Sequence, residues 1–130
     1  MGSNQKKRYI IVADGNREFL QEFVAFFEPL KTEIRPVTSG REALSEIRQN
    51  LPYLLIINTA LDDDHGLSII DKIRKNHNSD IAFVVIMEND SLKLQEAVVK
   101  RNVLCKMIQP INLNDLMDIV VRVEREAMKR

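Results

Sequence analysis

Hydrophobic residues follow two alternating patterns along this chain. Short continuous apolar runs, typical of strands buried on both faces, alternate with stretches whose apolar residues recur at helical spacing. The runs predicted to be strands are Tyr9 to Ala13, Thr32 to Val37, Leu54 to Ile57, Ile81 to Met87 and Val103 to Ile108. The stretches predicted to be helices are Arg17 to about Leu30, Ser39 to before Pro52, Leu67 to about Lys75, Leu92 to Val99, and a last helix capped by Asn112 or Asn114.

This strand-helix order, repeated five times with short connections, predicts one α/β domain. Such a pattern implies a parallel sheet with right-handed crossovers and helices on both faces. We assign the domain to residues 8–126, with 1–7 as a disordered tail or cloning remnant and 127–130 as a charged tail or linker. Ser39 followed by Glu42 predicts a capping box, and Phe19, Phe23, Phe26 and Phe27 are expected in the core.

Composition narrows the classes of function. Nineteen basic and nineteen acidic side chains cancel, so no net field attracts nucleic acid or anionic lipid. No apolar run approaches the ~18 residues of a membrane span. The single cysteine, Cys105, cannot form an internal disulfide and suits a reducing compartment. We therefore expect a cytoplasmic protein without direct nucleic-acid or membrane partners.

The segment from Pro52 to Gly66 carries the main functional signal. Its apolar run ends at a single amide, Asn58, and the following loop contains Asp62, Asp63 and Asp64. Ligands bind at the carboxyl ends of the strands in open parallel sheets. We therefore expect Asn58 to lie at the functional edge of the sheet.

Over Tyr9 to about Val123 the chain resembles the receiver domains of two-component response regulators. The resemblance rests on Ile-Val-Ala-Asp before Gly15, Gly-Arg-Glu-Ala-Leu from Gly40, the segment just described, and Gln109-Pro110. It implies a flavodoxin-like, doubly wound (βα)5 sheet with strand order 2-1-3-4-5.

Receivers use a fixed set of side chains. Two adjacent acids hold Mg²⁺, an aspartate ending the third strand accepts a phosphoryl group from a histidine kinase, and a hydroxyl and a lysine bind the phosphoryl oxygens. An aromatic switch residue lies on the fifth strand. By the resemblance these positions hold, in the same order, Asp14, Gly15, Asn58, Met87, Gln109 and Lys106.

Most of this chemistry is lost on the present chain. The amide of Asn58 cannot form an acyl phosphate as a carboxylate does. One carboxylate remains where receivers offer three, so we expect no Mg²⁺ cofactor. Met87 cannot donate a hydrogen bond, and Gln109 cannot neutralise phosphate charge. We therefore expect a degenerate receiver, not an enzyme, that binds proteins independently of phosphorylation.

Three alternatives keep some chemistry at this edge. Asp62, Asp63 and Asp64 could recruit a cation together with Asp14, whereas the simpler interpretation is a solvated loop that also caps the following helix. His65 could be pH-sensitive or phosphorylatable, whereas the simpler interpretation is an inert surface histidine. Phosphorylation on Asp62 or another loop acid would make the domain a functional receiver.

The resemblance also implies a partner surface. In receivers the fourth helix, fifth strand and fifth helix engage partners, here Ser91 to Arg101, Val103 to Ile108 and Leu113 to Arg125. The mixed charges of this surface suit salt-sensitive pairing with a second copy, a histidine kinase or an output module. Lys100 and Lys106 could form an anion site there, or extend over apolar surface. A small-ligand binder on the same fold is a further alternative, which lacks a glycine-rich phosphate loop.

Overall fold

The computed structural model describes residues 9–77 and 81–129, which form a five-stranded sheet flanked by helices. The strands are β1 (Tyr9–Ala13), β2 (Glu33–Val37), β3 (Leu54–Asn58), β4 (Ala82–Met87) and β5 (Cys105–Ile108). They are hydrogen-bonded in the order β2-β1-β3-β4-β5, and every neighbouring pair is parallel. The predicted fold and strand order are therefore confirmed.

Five α-helices connect or follow the strands. They are α1 (Arg17–Phe27), α2 (Gly40–Gln49), α3 (Gly66–Asn76), α4 (Leu92–Val99) and α5 (Leu113–Met128). The first helix is shorter than predicted, because residues Glu28–Leu30 form a 3-10 turn. Pro29 lies in this turn and has no backbone N–H to continue the α-helical ladder.

Side-chain caps fix where the helices begin. Asn16 Oδ1 accepts a hydrogen bond from Glu18 N at 3.0 Å, and Ser39 Oγ accepts one from Glu42 N at 3.1 Å. Glu42 Oε1 in turn accepts from Ser39 Oγ at 3.1 Å and from Thr38 N at 3.3 Å, so the predicted pairing of Ser39 with Glu42 is present. The cap of α5 is the first of the two predicted candidates, Asn112.

The sheet separates two hydrophobic cores. Along β1, Tyr9, Ile11 and Ala13 pack on the side of α2, α3 and α4. Ile10 and Val12 pack on the side of α1 and α5. All five side chains are buried, as expected for a central strand that helices cover on both faces.

The phenylalanines of α1 belong to the second core, as predicted. Phe23 and Phe27 are buried and stack with ring centroids 4.2 Å apart. Phe19 and Phe26 are partly buried against the same core.

The two tails expected from the sequence lie only partly within the described residues. The predicted N-terminal tail, 1–7, lies outside the described residues. Helix α5 includes Ala127 and Met128, the first two positions of the expected charged tail. Among the described residues, no helix combines the length and apolar character needed to cross a membrane.

Candidate functional site

Asp14 and Asn58 meet at the carboxyl edge of the sheet. Asp14 directly follows β1, and Asn58 is the last residue of the neighbouring strand β3. Asn58 Nδ2 donates a hydrogen bond to Asp14 Oδ2 at 3.0 Å. The two residues are 2% and 0% exposed, so this contact is closed to solvent. The sequence-predicted neighbours are thus brought together.

The remaining side-chain oxygens of this pair are also bonded. Asn16 N donates to Asp14 Oδ1 at 2.8 Å, and Ala60 N donates to Asn58 Oδ1 at 2.8 Å. Because Asn58 Oδ1 faces Ala60, the donor side of the amide faces Asp14. No buried side-chain nitrogen or oxygen in the described residues is left without a partner.

Burial dominates the electrostatics of Asp14. Desolvation raises the pKa of Asp14 above its ordinary value, against the lowering effect of the hydrogen bonds from Asn16 and Asn58. The charge of Glu88, just after β4, raises this pKa further. Burial therefore disfavours the charged form of the Asp14 carboxyl, and the two hydrogen bonds from Asn16 and Asn58 offset part of this effect.

Gly15 leaves space beside Asp14, and Asp62 approaches that space. A Cβ built on Gly15 would lie 3.2 Å from Asp62 Oδ1. The other oxygen of Asp62 pairs with Arg17 Nη2 at 3.4 Å. Both side chains of this ion pair are exposed, so the pair contributes little stability.

The other two acids of the loop bind different helices. Asp63 accepts from Gly40 N at 2.7 Å and Arg41 N at 3.1 Å, so it caps the first turn of α2. These backbone bonds, the one from Gly40 first, lower the pKa of Asp63. Asp64 pairs with Lys72 Nζ at 3.0 Å. Within the described residues, no group of three or more His, Cys, Asp or Glu side chains is arranged to hold a metal ion.

His65 caps α3. Its Nδ1 accepts a hydrogen bond from Leu67 N at 3.2 Å. The prediction that the acidic loop caps the following helix holds only in part. Asp64 Oδ1 accepts from His65 N at 2.7 Å at the start of α3, whereas Asp63 reaches back to α2. A histidine is an unusual cap, and no local sequence signal indicates it.

Gly66 allows the loop to return to the strand. A Cβ on this residue would overlap the backbone carbonyl of Asn58. The Gly66 N–H donates to Thr59 O at 2.9 Å. This close approach explains why glycine is needed where α3 begins.

The remaining receiver-equivalent positions lie on β4, on β5 and directly after β5. Met87 ends β4, is fully buried, and belongs to the core on the side of α2, α3 and α4. The Gln109 N–H donates to Met87 O at 2.9 Å, and the Gln109–Pro110 peptide bond is cis. Lys106 is exposed on β5, opposite Val85 of β4 in the strand register.

Apolar side chains are exposed around α4 and β5, a feature that sequence reasoning missed. Leu92 and Val99 on α4 are 72% and 63% exposed, and Leu104 before β5 is 56% exposed. Ile108 at the end of β5 is also exposed. Helical spacing alone cannot show this, because it does not tell which apolar residues the neighbouring elements cover.

Comparison with known proteins agrees with the fold. The profile described as "Response regulator receiver domain" matches residues 10–121. An uncharacterized response regulatory protein from Staphylococcus epidermidis is 26% identical over 119 residues, which cover 87% of this chain and 46% of that protein. The luminescence regulatory protein LuxO from Vibrio campbellii is 22% identical over 105 residues, covering 81% of this chain and 23% of LuxO. The chain thus spans less than half the length of these curated relatives.

Solved structures show the same fold. A CheY-like response regulator receiver domain protein from Methanospirillum hungatei superposes with a TM-score of 0.83 at 17% identity, covering 95% of this chain and 98% of that one. The receiver domain of the Francisella response regulator 1452 has a TM-score of 0.84 at 20% identity, covering 92% and 98%.

Proposed function

Because the chain belongs to the response regulator receiver domain family, we propose that it is a degenerate receiver that binds proteins without being phosphorylated. The observation that carries this proposal is the position of Asn58 at the end of β3. The resemblance to receivers implies a phosphoacceptor aspartate at this position. The amide of Asn58 is buried and hydrogen-bonded on both sides, to Asp14 and Ala60. The domain therefore works in one conformation instead of switching between two.

The chemistry of the amide supports the absence of phosphorylation. An acyl phosphate forms when a carboxylate oxygen attacks phosphorus, and Asn58 has no such nucleophile. Met87 offers no hydrogen-bond donor to a phosphoryl oxygen, and its side chain is buried in the core. Gln109 brings no positive charge to a phosphate. On this proposal the chain is not an enzyme and catalyses no dephosphorylation.

The residues do not fit a divalent cation. Mg²⁺ prefers several oxygen ligands, usually from carboxylates. Asp14 is the buried carboxylate here, and both of its oxygens already accept hydrogen bonds. The amide nitrogen of Asn58, a donor that cannot coordinate a cation, faces it. Asp62, the other candidate ligand, pairs with Arg17.

The proposed partner surface is the face formed by α4, β5 and α5. Exposed Leu92, Val99 and Leu104 supply apolar contact area on this face. The same three elements carry exposed charged side chains, among them Lys106 on β5 and Asp118 on α5. Such a mixture supports salt-sensitive binding to a second copy, a histidine kinase or an output module in the cytoplasm.

Mass measurement tests the proposal. We expect no phosphoryl adduct on the intact protein after incubation with acetyl phosphate and Mg²⁺, while a receiver that keeps its aspartate gains one in the same reaction. A Mg²⁺-dependent adduct would contradict the proposal. The variant Asp62→Asn then tests the rival, because loss of the adduct would identify Asp62 as a non-standard acceptor.

A further inference from the structure

We propose that the side-chain amide of Asn58 joins the β1–α1 loop to the β3–α3 loop by hydrogen bonds and so takes the place of a bound cation. We call this arrangement the clip. This inference rests on the proposed function, since it explains how the edge of the sheet stays ordered in a receiver that needs no metal. It assigns a positioning role to Asn58 beyond the loss of phosphorylation.

A closed ring of polar contacts carries the inference. Asn58 Nδ2 donates to Asp14 Oδ2 at 3.0 Å, and Ala60 N donates to Asn58 Oδ1 at 2.8 Å. The ring closes where Gly15 N donates to Ala60 O at 3.4 Å. The first loop contributes residues 14 and 15; residue 58 ends β3, and residue 60 lies in the loop that follows it. Each loop thus holds the other through side chain and backbone together.

The central bond of the ring requires a donor on one side and an acceptor on the other, and the native chain places the donor at position 58. Asp14 must accept twice, from Asn16 N and from Asn58 Nδ2. Residue 58 must accept from Ala60 N and also donate to Asp14. A carboxylate at position 58 would place two buried anionic oxygens about 3 Å apart, which requires a proton or a cation between them. An amide at position 58 requires neither a proton nor a cation.

The directionality allows a double-mutant cycle. Asn58→Asp places a carboxylate opposite the carboxylate of Asp14. Asp14→Asn places an amide NH2 group opposite the NH2 group of Asn58. Each single change therefore breaks the central bond. The combined variant Asp14→Asn/Asn58→Asp exchanges the two groups. An amide at position 14 can then donate to a carboxylate at position 58, and all the neighbouring backbone donors keep an acceptor.

We expect the double variant to lose less stability than the sum of the two single losses, measured as urea midpoints in buffer with a chelator. Neighbouring groups that act independently give additive losses. Additive losses for the exchanged pair would therefore overturn the clip. Asp71→Asn combined with Asn58→Asp serves as the matched control. Asp71 lies on α3 and pairs with Arg101, so these two losses should add.

Magnesium gives a second arm of the test, in which the salt is changed and the urea midpoint is again measured. We expect MgCl2 to raise the urea midpoint of Asn58→Asp more than NaCl of equal ionic strength does, because a cation can sit between two carboxylates. The wild-type midpoint should respond equally to the two salts. An equal Mg²⁺-specific gain in both proteins would show that the amide does not replace a cation.

Wild-type protein alone tests the clip if the variants do not fold. Hydrogen exchange followed by NMR should show slow exchange of the Asn58 side-chain amide protons, compared with those of exposed Asn114 on α5. Equal exchange rates would overturn the proposal. Phosphorylation measured by mass remains a separate result, so failure of the proposed function and failure of the clip can be told apart.

Discussion

At the scale of single residues, burial and hydrogen-bond polarity decide what Asp14 and Asn58 can do. Asp14 is buried beside an amide, and desolvation raises the pKa of its carboxyl although it accepts two hydrogen bonds. Asn58 supplies one donor and one acceptor, and both are used. The same edge of the sheet that could hold phosphate chemistry is therefore occupied by a neutral side chain in a fixed orientation.

The raised pKa of Asp14 predicts a pH-dependent contribution to stability. A carboxyl whose pKa is higher in the folded state contributes stability at low pH, and this is lost as pH rises from its ordinary value of 3.8 through the folded value. We therefore expect the free energy of unfolding of wild type, minus that of Asp14→Asn, to decrease over this interval and then level off. Urea titrations at several pH values measure the difference. A difference that increases with pH would contradict the assignment.

The residue identities at this edge could be predicted, but their contacts could not. The apolar run before Asn58 indicated the end of a buried strand, and the resemblance placed Asp14 nearby. The orientation of the amide depends on the backbone N–H of Ala60, which only the folded loop positions. The histidine cap at His65 was missed for the same reason.

At the scale of elements, the β3–α3 loop connects three helices through three consecutive acids. Asp62 pairs with Arg17 at the start of α1, and Asp63 caps α2. Asp64 pairs with Lys72 of α3. From the sequence alone, the run of three acids predicted either one cation site or one helix cap. The folded loop separates the three carboxylates, because each one binds a different backbone or side-chain partner.

Removing the cap on α2 should destabilise the domain. We expect Asp63→Ala to lower the free energy of unfolding by about 1 kcal/mol, since two backbone N–H groups lose their acceptor. Asp62→Ala is the matched control from the same loop. It removes only an exposed ion pair and should change stability by less than about 0.5 kcal/mol. Equal losses in the two variants, measured by urea denaturation, would contradict the cap.

At the scale of the whole molecule, the sheet is covered on both faces, but the surface around α4 and β5 keeps apolar side chains exposed. The strand-helix alternation was enough to predict the fold, because continuous apolar strands must be covered on both sides. It was not enough to predict this surface. Exposure of Val99 and Leu104 depends on how α4 lies against β5, and helical periodicity does not determine that arrangement.

The exposed surface predicts weak self-association of the domain. We expect Val99→Glu, on α4, to reduce the rise in apparent mass with protein concentration, measured by light scattering at low salt. Val24→Glu is the control, because Val24 is an exposed valine on α1, which packs on the other face of the sheet. Equal effects of the two substitutions would show that the surface around α4 and β5 has no special role.

The absence of a second conformational state is the central claim, and an NMR titration tests it most directly. Beryllium fluoride with Mg²⁺ imitates a phosphoryl group on an aspartate carboxylate, and it needs that carboxylate to bind. We predict that the backbone amide spectrum of the wild-type domain stays unchanged when both are added. Specific shifts centred on Asn58, Met87 and Gln109 and extending through β5 would contradict the account, because they would show a site that still binds the phosphoryl analogue and switches.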